Sequence, residues 1–234
     1  MTSLSLPIRE VRVETPRTRV VRLALSGRPF DFRPGQSLVV GLHGQALRKP
    51  YSIACSPEQA RALDAIELLV QVGSDASAGA HLGAPAAGDI LSLDGPFGTF
   101  CFPDTPVERD FLFIAGGTGI APLRSMLWHA LAAITDARAS LFYSARAADE
   151  FAYRDEFRQL AVAGRLVLRE TVTREVATGW TGETGRITRA HVAATATPAT
   201  LCFVCGPPTL VEDVTGWLTE IGIAREKILS EGWG

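Results

Sequence analysis

The 234-residue sequence has only two lysines, Lys49 and Lys227, only four cysteines, and a formal net charge of −2. So balanced a charge leaves no electrostatic footprint for nucleic acid, whose capture needs a basic face. Cys55, Cys101, Cys202 and Cys205 are too few and too irregular for a disulfide framework, and too few for an iron–sulfur cluster, which takes four well-spaced ligands. Cys202 and Cys205 in "LCFVCGPP" have CxxC spacing, but in an apolar strand-like run positions i and i+3 face opposite sides, so no metal site is expected. The start, "MTSLSLPIREVRVE", has no apolar core flanked by basic residues, and no run reaches membrane-spanning length. A cytoplasmic chain without a membrane partner is the default expectation. Arginine supplies nearly all the basic charge, which with the many alanines reads as genome composition bias. There is no internal repeat and no low-complexity stretch.

What is present divides into two textures. From Leu4 to about Gly95 short alternating segments, "IREVRVE", "RVVRLALS", "SLVVGL", "YSIACS", "AIELLVQVG" and "DILSLDG", are broken by Pro, Gly and Ser. They leave little room for helix apart from "ASAGAHLGA", and strands so closely spaced predict an antiparallel barrel. From about Asp110 apolar strands "FLFIAG", "ASLFYS", "RLVLRETV" and "LCFVCG" alternate with helices expected to begin near Ile120, Asp149, Thr188 and Pro208. That alternation predicts a parallel sheet with helices on both faces. The fold expected is therefore two-domain: an N-terminal antiparallel β-barrel over residues 1–102 and a C-terminal α/β domain over 103–234. The boundary falls in "GPFGTFCFPDTPVERD".

The most informative stretch is "FLFIAGGTGIAPLRSMLWHALA". Phe111–Ala115 suits a strand buried on both faces. Gly116, Gly117 and Gly119 allow a sharp turn and close approach of a ligand to the backbone. Pro122 sits in the first turn of a helix, where its missing N–H costs nothing. Strand, glycine turn and helix make a phosphate seat. It lacks the Lys-Ser/Thr ending of a triphosphatase loop, and Pro122 occupies the third small position of the full dinucleotide fingerprint. Three weaker motifs accompany it. "LRKPYSIACSP" sets Tyr51 and Ser52 behind basic residues, "ASAGAHL" offers a second anion seat, and "CGPP" ends a strand at the carboxyl edge where ligands of such sheets bind.

Seven motifs in order, "FRPGQSL", "RKPYSIA", "GDILSLDGPFG", "AGGTGIAPL", "FYSARAADEFAYRDEF", "CGPP" and "ILSEGW", resemble the ferredoxin–NADP reductase family over nearly the whole chain. The resemblance implies an FAD-binding barrel, an NAD(P)-binding α/β domain and hydride transfer in a cleft between them. It sets Tyr51 against the flavin and Ser52 near its reactive edge, within a stretch Arg48, Lys49, Pro50, Tyr51, Ser52 and Ile53, with Gln71 further on. Where the family has arginine two before the tyrosine this chain has Lys49, which by alternation shares Tyr51's face while Arg48 does not. Gly79, Ala80, His81 and Leu82 fall where the family supplies amides to the flavin pyrophosphate. Gly116, Gly117, Thr118, Gly119 and Pro122, with Cys205, Gly206 and Pro207, would receive the pyridine nucleotide. Cys205 and Glu231 match the cysteine and glutamate beside the nicotinamide, and Trp233 the aromatic that covers the flavin. Ser52, Cys205 and Glu231 are thus the implied catalytic group.

The strand "ASLFYS" is expected to end at Ser144, with Arg146 and then Tyr153 and Arg154 beyond it. These donors lean the nucleotide choice toward NADPH over NADH. The partner implied is a separate electron acceptor, a small iron–sulfur protein, since no cluster segment follows Trp233. Other readings are an electron-transfer subunit of a larger dehydrogenase or oxygenase, a flavin or metal-ion reductase, and a non-catalytic nucleotide-binding module.

Overall fold

The computed structural model describes residues 2–72, 82, 84–175 and 178–232. They form two compact units, Met1–Phe102 with Arg124–His129, and Pro103–Leu123 with Ala130–Gly234. No helix among the described residues is long and apolar enough to cross a membrane.

The first unit is an antiparallel sheet of β1 (Thr2–Thr15), β2 (Thr18–Ala24), β3 (Ser37–Leu42), β4 (Lys49–Ser52), β5 (Ala65–Gln71) and β6 (Ile90–Phe97), in the order β4-β3-β6-β1-β2-β5. An isolated bridge from Ile53 to Leu68 joins the residue after β4 to β5, so the two edge strands meet and the sheet closes into a barrel. Alternate residues fill it: Leu6 and Ile8, Val21 and Leu23, Leu38 and Val40, Leu91 and Leu93 all belong to one buried cluster. Burying each such side chain is worth about 1.5–3 kcal/mol.

One helix here was not expected. α1 (Pro57–Leu63) starts at a capping box in which the Ser56 hydroxyl accepts from Gln59 N–H and the Gln59 side chain accepts from Ser56 N–H. Ser-Pro-Glu-Gln is a local start signal that a reading of this half as all strand passes over.

The second unit is a parallel sheet of β7 (Asp110–Gly116), β8 (Arg138–Ala147), β9 (Val167–Glu175), β10 (Glu183–Thr184), β11 (Leu201–Gly206) and β12 (Ile228–Gly232), in the order β10-β9-β8-β7-β11-β12. Its helices are α2 (Ile120–Ala133), whose residues Arg124–His129 count with the first unit, α3 (Arg154–Val162), α4 (Arg189–Ala193) and α5 (Pro208–Glu220). Val192 of α4 with Val214 and Leu218 of α5 pack against Leu112, Ile114, Phe142, Cys202 and Val204 on one face. Tyr143, next in the chain after Phe142, meets Phe157 of α3 on the other. Helices therefore cover both faces, as expected. Successive strands β7, β8, β9 and β10 step one way and β11 and β12 lie on the other side of β7, so the order reverses between β7 and β11.

Two boundaries differ from expectation. β8 runs to Ala147, three residues past Ser144, with a register irregularity between Ala145 and Ala147. The helix expected from Asp149 begins at Arg154, because Tyr153 takes a left-handed backbone (φ 59°) that no helix interior accommodates.

A buried carboxylate organises the first unit. Glu67 of β5 is 1% exposed and lies between Arg124 (Nη1 to Oε1 3.1 Å, Arg124 5% exposed) and Arg22 (Nε to Oε2 2.7 Å). The Arg22 contact is a hydrogen bond; the Arg124 contact is close but poorly aligned, leaving Oε1 without one. Arg124 also donates to the Ala54 carbonyl (2.7 Å) and Ser125 to that of Cys55 (2.7 Å). Removing one partner of a buried pair strands the other charge, so Glu67→Gln is expected to lower stability by about 3–5 kcal/mol, with most of the loss recovered in Glu67→Leu combined with Arg124→Met. Equilibrium urea unfolding of the two variants checks this; a Glu67→Gln variant as stable as wild type would remove Glu67 from this role.

Candidate functional site

The carboxyl ends of β7 and β11 flank the point where strand order reverses, which is where open α/β sheets bind ligands. The glycines there do two different things. A Cβ on Gly116 would lie 2.7 Å from Pro207 Cδ and 2.8 Å from Leu210 Cδ2, and one on Gly206 would lie 3.0 Å from Gly116 N. On Gly119 it would meet the Cys205 carbonyl carbon at 2.6 Å. Gly119 and Gly206 are glycine because the two strand ends pack backbone on backbone, and Gly116 because the Pro207 and Leu210 side chains fill the space beside it. Gly117 alone is exposed, has a left-handed φ of 54° and faces open space, so it is the position that admits a ligand to the main chain. Gly117–Gly119 form one 3₁₀ turn leading into α2, and buried Pro122 stands in that helix's first turn. Thr118 is half-buried in the turn, and exposed Pro207 precedes α5.

Cys205 of β11 and Glu231 of β12 are register partners in a parallel pair, so they stand side by side on one face. The row continues across the sheet through Ala115 and Tyr143 to Glu170. Cys202 belongs instead to the opposite face with Val204, as alternation requires, and burial pushes its thiol up to about 12. All four cysteines are buried and none is in a disulfide. Burial likewise holds the Glu231 carboxyl above the usual carboxylate range.

Tyr143 was not singled out from the sequence. Its hydroxyl donates to the Gly117 carbonyl (3.1 Å) and accepts from Ala152 N–H (3.1 Å). A tyrosine inside a strand buried on both faces is itself a signal, since its hydroxyl needs a partner there. Its ring meets Phe151 edge-on (4.9 Å), and Phe151 stacks on Trp180 (5.6 Å).

Arg154, expected as a phosphate donor, is committed elsewhere: its Nε and Nη2 donate to both oxygens of buried Glu170 (2.9 and 3.2 Å), which also accepts from Arg158. Sequence could not show this, because Glu170 lies on β9, a strand away. Arg146 remains exposed and has no partner among the described residues, while Ser144 is half-buried on the same strand.

In the barrel unit Ser52 is 6% exposed, and its Oγ is buried with no hydrogen-bond partner among the described residues. Tyr51, paired with Leu38 across the strands, packs into the barrel core, where burial pushes its phenol well above its ordinary range. Ile53 lies in the same core, exposed Pro50 opposes Val39, and Gln71 ends β5 opposite Thr18. Arg48 is ion-paired with Asp94 of β6, whereas half-buried Lys49 has no partner among the described residues. Leu82 is a core residue of the barrel, so only its backbone is available to a ligand. Gly79, Ala80, His81 and Trp233, with the helix expected in "ASAGAHLGA", lie outside the described residues apart from Leu82 and Ala84.

Comparison with known proteins follows the two units. Residues 5–102 match the oxidoreductase FAD-binding domain family and residues 113–216 the oxidoreductase NAD-binding domain family. The chain is 31% identical over 214 residues to ferredoxin–NADP reductase B of Sorangium cellulosum, covering 86% of this chain and 85% of that protein. It is 29% identical over 246 residues to the reductase component of propane 2-monooxygenase from Mycolicibacterium goodii, covering 97% of this chain and 69% of that one. Among solved structures, an Amycolatopsis cytochrome P450 reductase aligns with a TM-score of 0.85 at 25% identity, over 99% of this chain and 69% of its own. With a flavin-binding family matched ahead of a nicotinamide-binding one, and a ferredoxin–NADP reductase matched over most of both chains, the chain belongs to the ferredoxin–NADP reductase family of FAD-dependent NAD(P)H oxidoreductases.

Proposed function

We propose that this reductase takes its hydride from NADPH and passes electrons on to a separate one-electron carrier, a small iron–sulfur protein. Residues 1–102 would hold FAD and residues 103–234 the pyridine nucleotide. The chemistry supplied by bound FAD is acceptance of a hydride and release of electrons one at a time. The observation that carries the flavin assignment is the Ser52 hydroxyl, buried and unpartnered among the described residues, next to Ile53 and Ala54 amides and Ala54 and Cys55 carbonyls that each have a partner. An orphaned buried hydroxyl costs about 1–3 kcal/mol, which a ligand edge offering a hydrogen bond would recover. Lys49 is the cation left for a flavin phosphate, since Arg48 is taken by Asp94.

Within the second unit the roles divide by position. The open backbone at Gly117 and Thr118 would receive the nucleotide, and Cys205 and Glu231, together on one row, would border its nicotinamide end. Arg146, exposed and unengaged, is the donor left for an adenosine 2′-phosphate. The thiols of Cys55 and Cys202 are pushed up to about 12 by burial, and Cys202 faces away from Cys205, so four thiolates do not converge on a cluster. The one-electron carrier then lies outside residues 1–234. A second reading, the electron-supplying component of an oxygenase, is favoured by the monooxygenase and P450 reductases among the similar proteins. Reduction of candidate ferredoxins and of oxygenase components by the purified protein, followed at their visible bands, separates the two.

Three outcomes are expected. Ser52→Ala should retain bound FAD yet slow its reduction by NADPH about 10- to 1000-fold in stopped-flow absorbance. Reduction at the wild-type rate would return Ser52 to a packing role.

Glu231 has a folded-state pKa raised by burial, so its carboxyl keeps its proton to higher pH than an ordinary glutamate and loses it as pH rises through that raised value. The reduction rate should therefore fall along a limb above about pH 4.3, the ordinary glutamate value. Glu231→Gln should flatten that limb; an identical profile in the variant would clear Glu231 of the proton-linked role.

Arg146→Ala should lower kcat/KM for NADPH about tenfold more than for NADH. Equal losses with the two nucleotides, or a wild-type preference for NADH, would show that the 2′-phosphate is not read there.

A further inference from the structure

We propose that Tyr143 is a positioning residue for the pyridine nucleotide, acting by fixing the orientation of the peptide group between Gly117 and Thr118. The inference rests on the reading of the Gly116–Gly119 turn as the nucleotide's seat. Gly117 is the one position of that turn with an exposed, left-handed backbone and nothing packed where a Cβ would be. Such a residue has wide φ/ψ freedom, so its peptide plane needs an external hold.

Tyr143 supplies that hold. A carbonyl can only accept and an amide N–H can only donate, so the order of the chain is fixed: Ala152 N–H to Tyr143 Oη, and Tyr143 O–H to Gly117 C=O, each at 3.1 Å. Accepting one bond while donating another strengthens both. The Gly117 carbonyl also accepts from Ile120 N–H at the start of α2. With the carbonyl turned toward Tyr143, the planar trans peptide turns the N–H of Thr118 the opposite way. The hydroxyl thus aims a backbone donor away from the protein side of the turn, the direction from which a ligand arrives.

The ring itself is rigidly placed. It is buried, edge-on to Phe151 at 4.9 Å and to Phe157 at 6.4 Å, and it stands in the same cross-sheet row as Cys205 and Glu231. Ala152, at the other end of the chain of bonds, belongs to the segment between Arg146 and α3. One hydroxyl therefore spans the glycine turn and the segment after the strand that carries Arg146.

Tyr143→Phe keeps the ring and removes only the hydroxyl. Three variants of the FAD-loaded protein test the proposal: Tyr143→Phe, Gly117→Ala, which adds a methyl at the open position, and Phe157→Leu, which loosens Tyr143's packing but leaves its hydroxyl. NADP⁺ binding is measured by titration calorimetry, KM and kcat for NADPH with ferricyanide as acceptor, and unfolding temperature by calorimetry. The expected result is a Kd for NADP⁺ and a KM for NADPH raised about 5- to 30-fold in Tyr143→Phe, with kcat at saturation held within about twofold. Phe157→Leu should lower the unfolding temperature and leave Kd within about twofold. The positioning role is overturned if Tyr143→Phe binds NADP⁺ as wild type does while Gly117→Ala binds it weakly, or if Phe157→Leu weakens binding as much as Tyr143→Phe. If neither Tyr143→Phe nor Gly117→Ala weakens binding, the seat itself lies elsewhere and the proposal falls with it.

Discussion

Where β7 and β11 end, two lengths of backbone touch with no side chain between them, and the geometry of the nucleotide-binding unit depends on that contact. Gly119 and Gly206 are required by it, since a Cβ there would sit 2.6 Å from the Cys205 carbonyl carbon and 3.0 Å from Gly116 N, while Gly116 is required by the Pro207 and Leu210 side chains, 2.7 and 2.8 Å from its Cβ position. Because the strand ends meet so closely, the turn after β7 and the start of α5 are held at the reversal of strand order. A glycine-rich motif is usually explained by what approaches it from outside. Here most of its glycines answer to the protein's own chain, and only Gly117 is left for a ligand.

The barrel unit shows the converse arrangement, in which nearly every polar group beside the candidate flavin residue is satisfied. The Ile53 amide donates to Gln36, the Ala54 amide to Glu67, and the carbonyls of Ala54 and Cys55 accept from Arg124 and Ser125. Glu67 in turn is held by two guanidinium groups. Two buried oxygens of this unit's centre lack a hydrogen bond among the described residues: Glu67 Oε1, which Arg124 faces at 3.1 Å, and the Ser52 hydroxyl.

The architecture was legible because it depends on short-range pattern. Alternation in the first half and buried runs in the second distinguish an antiparallel barrel from a parallel sheet without knowledge of any contact. Helix starts at Ile120, Thr188 and Pro208 were legible for the same reason, since proline and threonine mark them locally. What sequence could not reveal was partnership. Arg154 looked like a free cation until Glu170 appeared beside it from another strand, and Tyr143 looked like one more apolar residue until its hydroxyl was found under Gly117. Lys49 and Arg48 were separable by alternation, but the reason Arg48 is committed, Asp94, lies 46 residues away. That Tyr51, matched to a flavin-facing position by motif, packs in one buried cluster with Leu38 and Ile53 was equally out of reach of local pattern.

The cross-sheet row of Glu231, Cys205, Ala115, Tyr143 and Glu170 has a consequence for how the family's chemistry can change. Every member owes its side of the sheet to register alone. If β12 slid by one residue against β11, Ser230 would stand beside Cys205, and the carboxylate of Glu231 would swing to the face where Cys202, Val204 and Ile228 are buried with α5. An ionised group there would face apolar neighbours, a penalty large enough to forbid the slip. The core on one face of the sheet thus acts as a ratchet for Cys205 and Glu231 on the other. Substitutions among Val204, Val214 and Ile228 therefore bear on how Cys205 and Glu231 are held, even though they lie on the reverse side of the sheet.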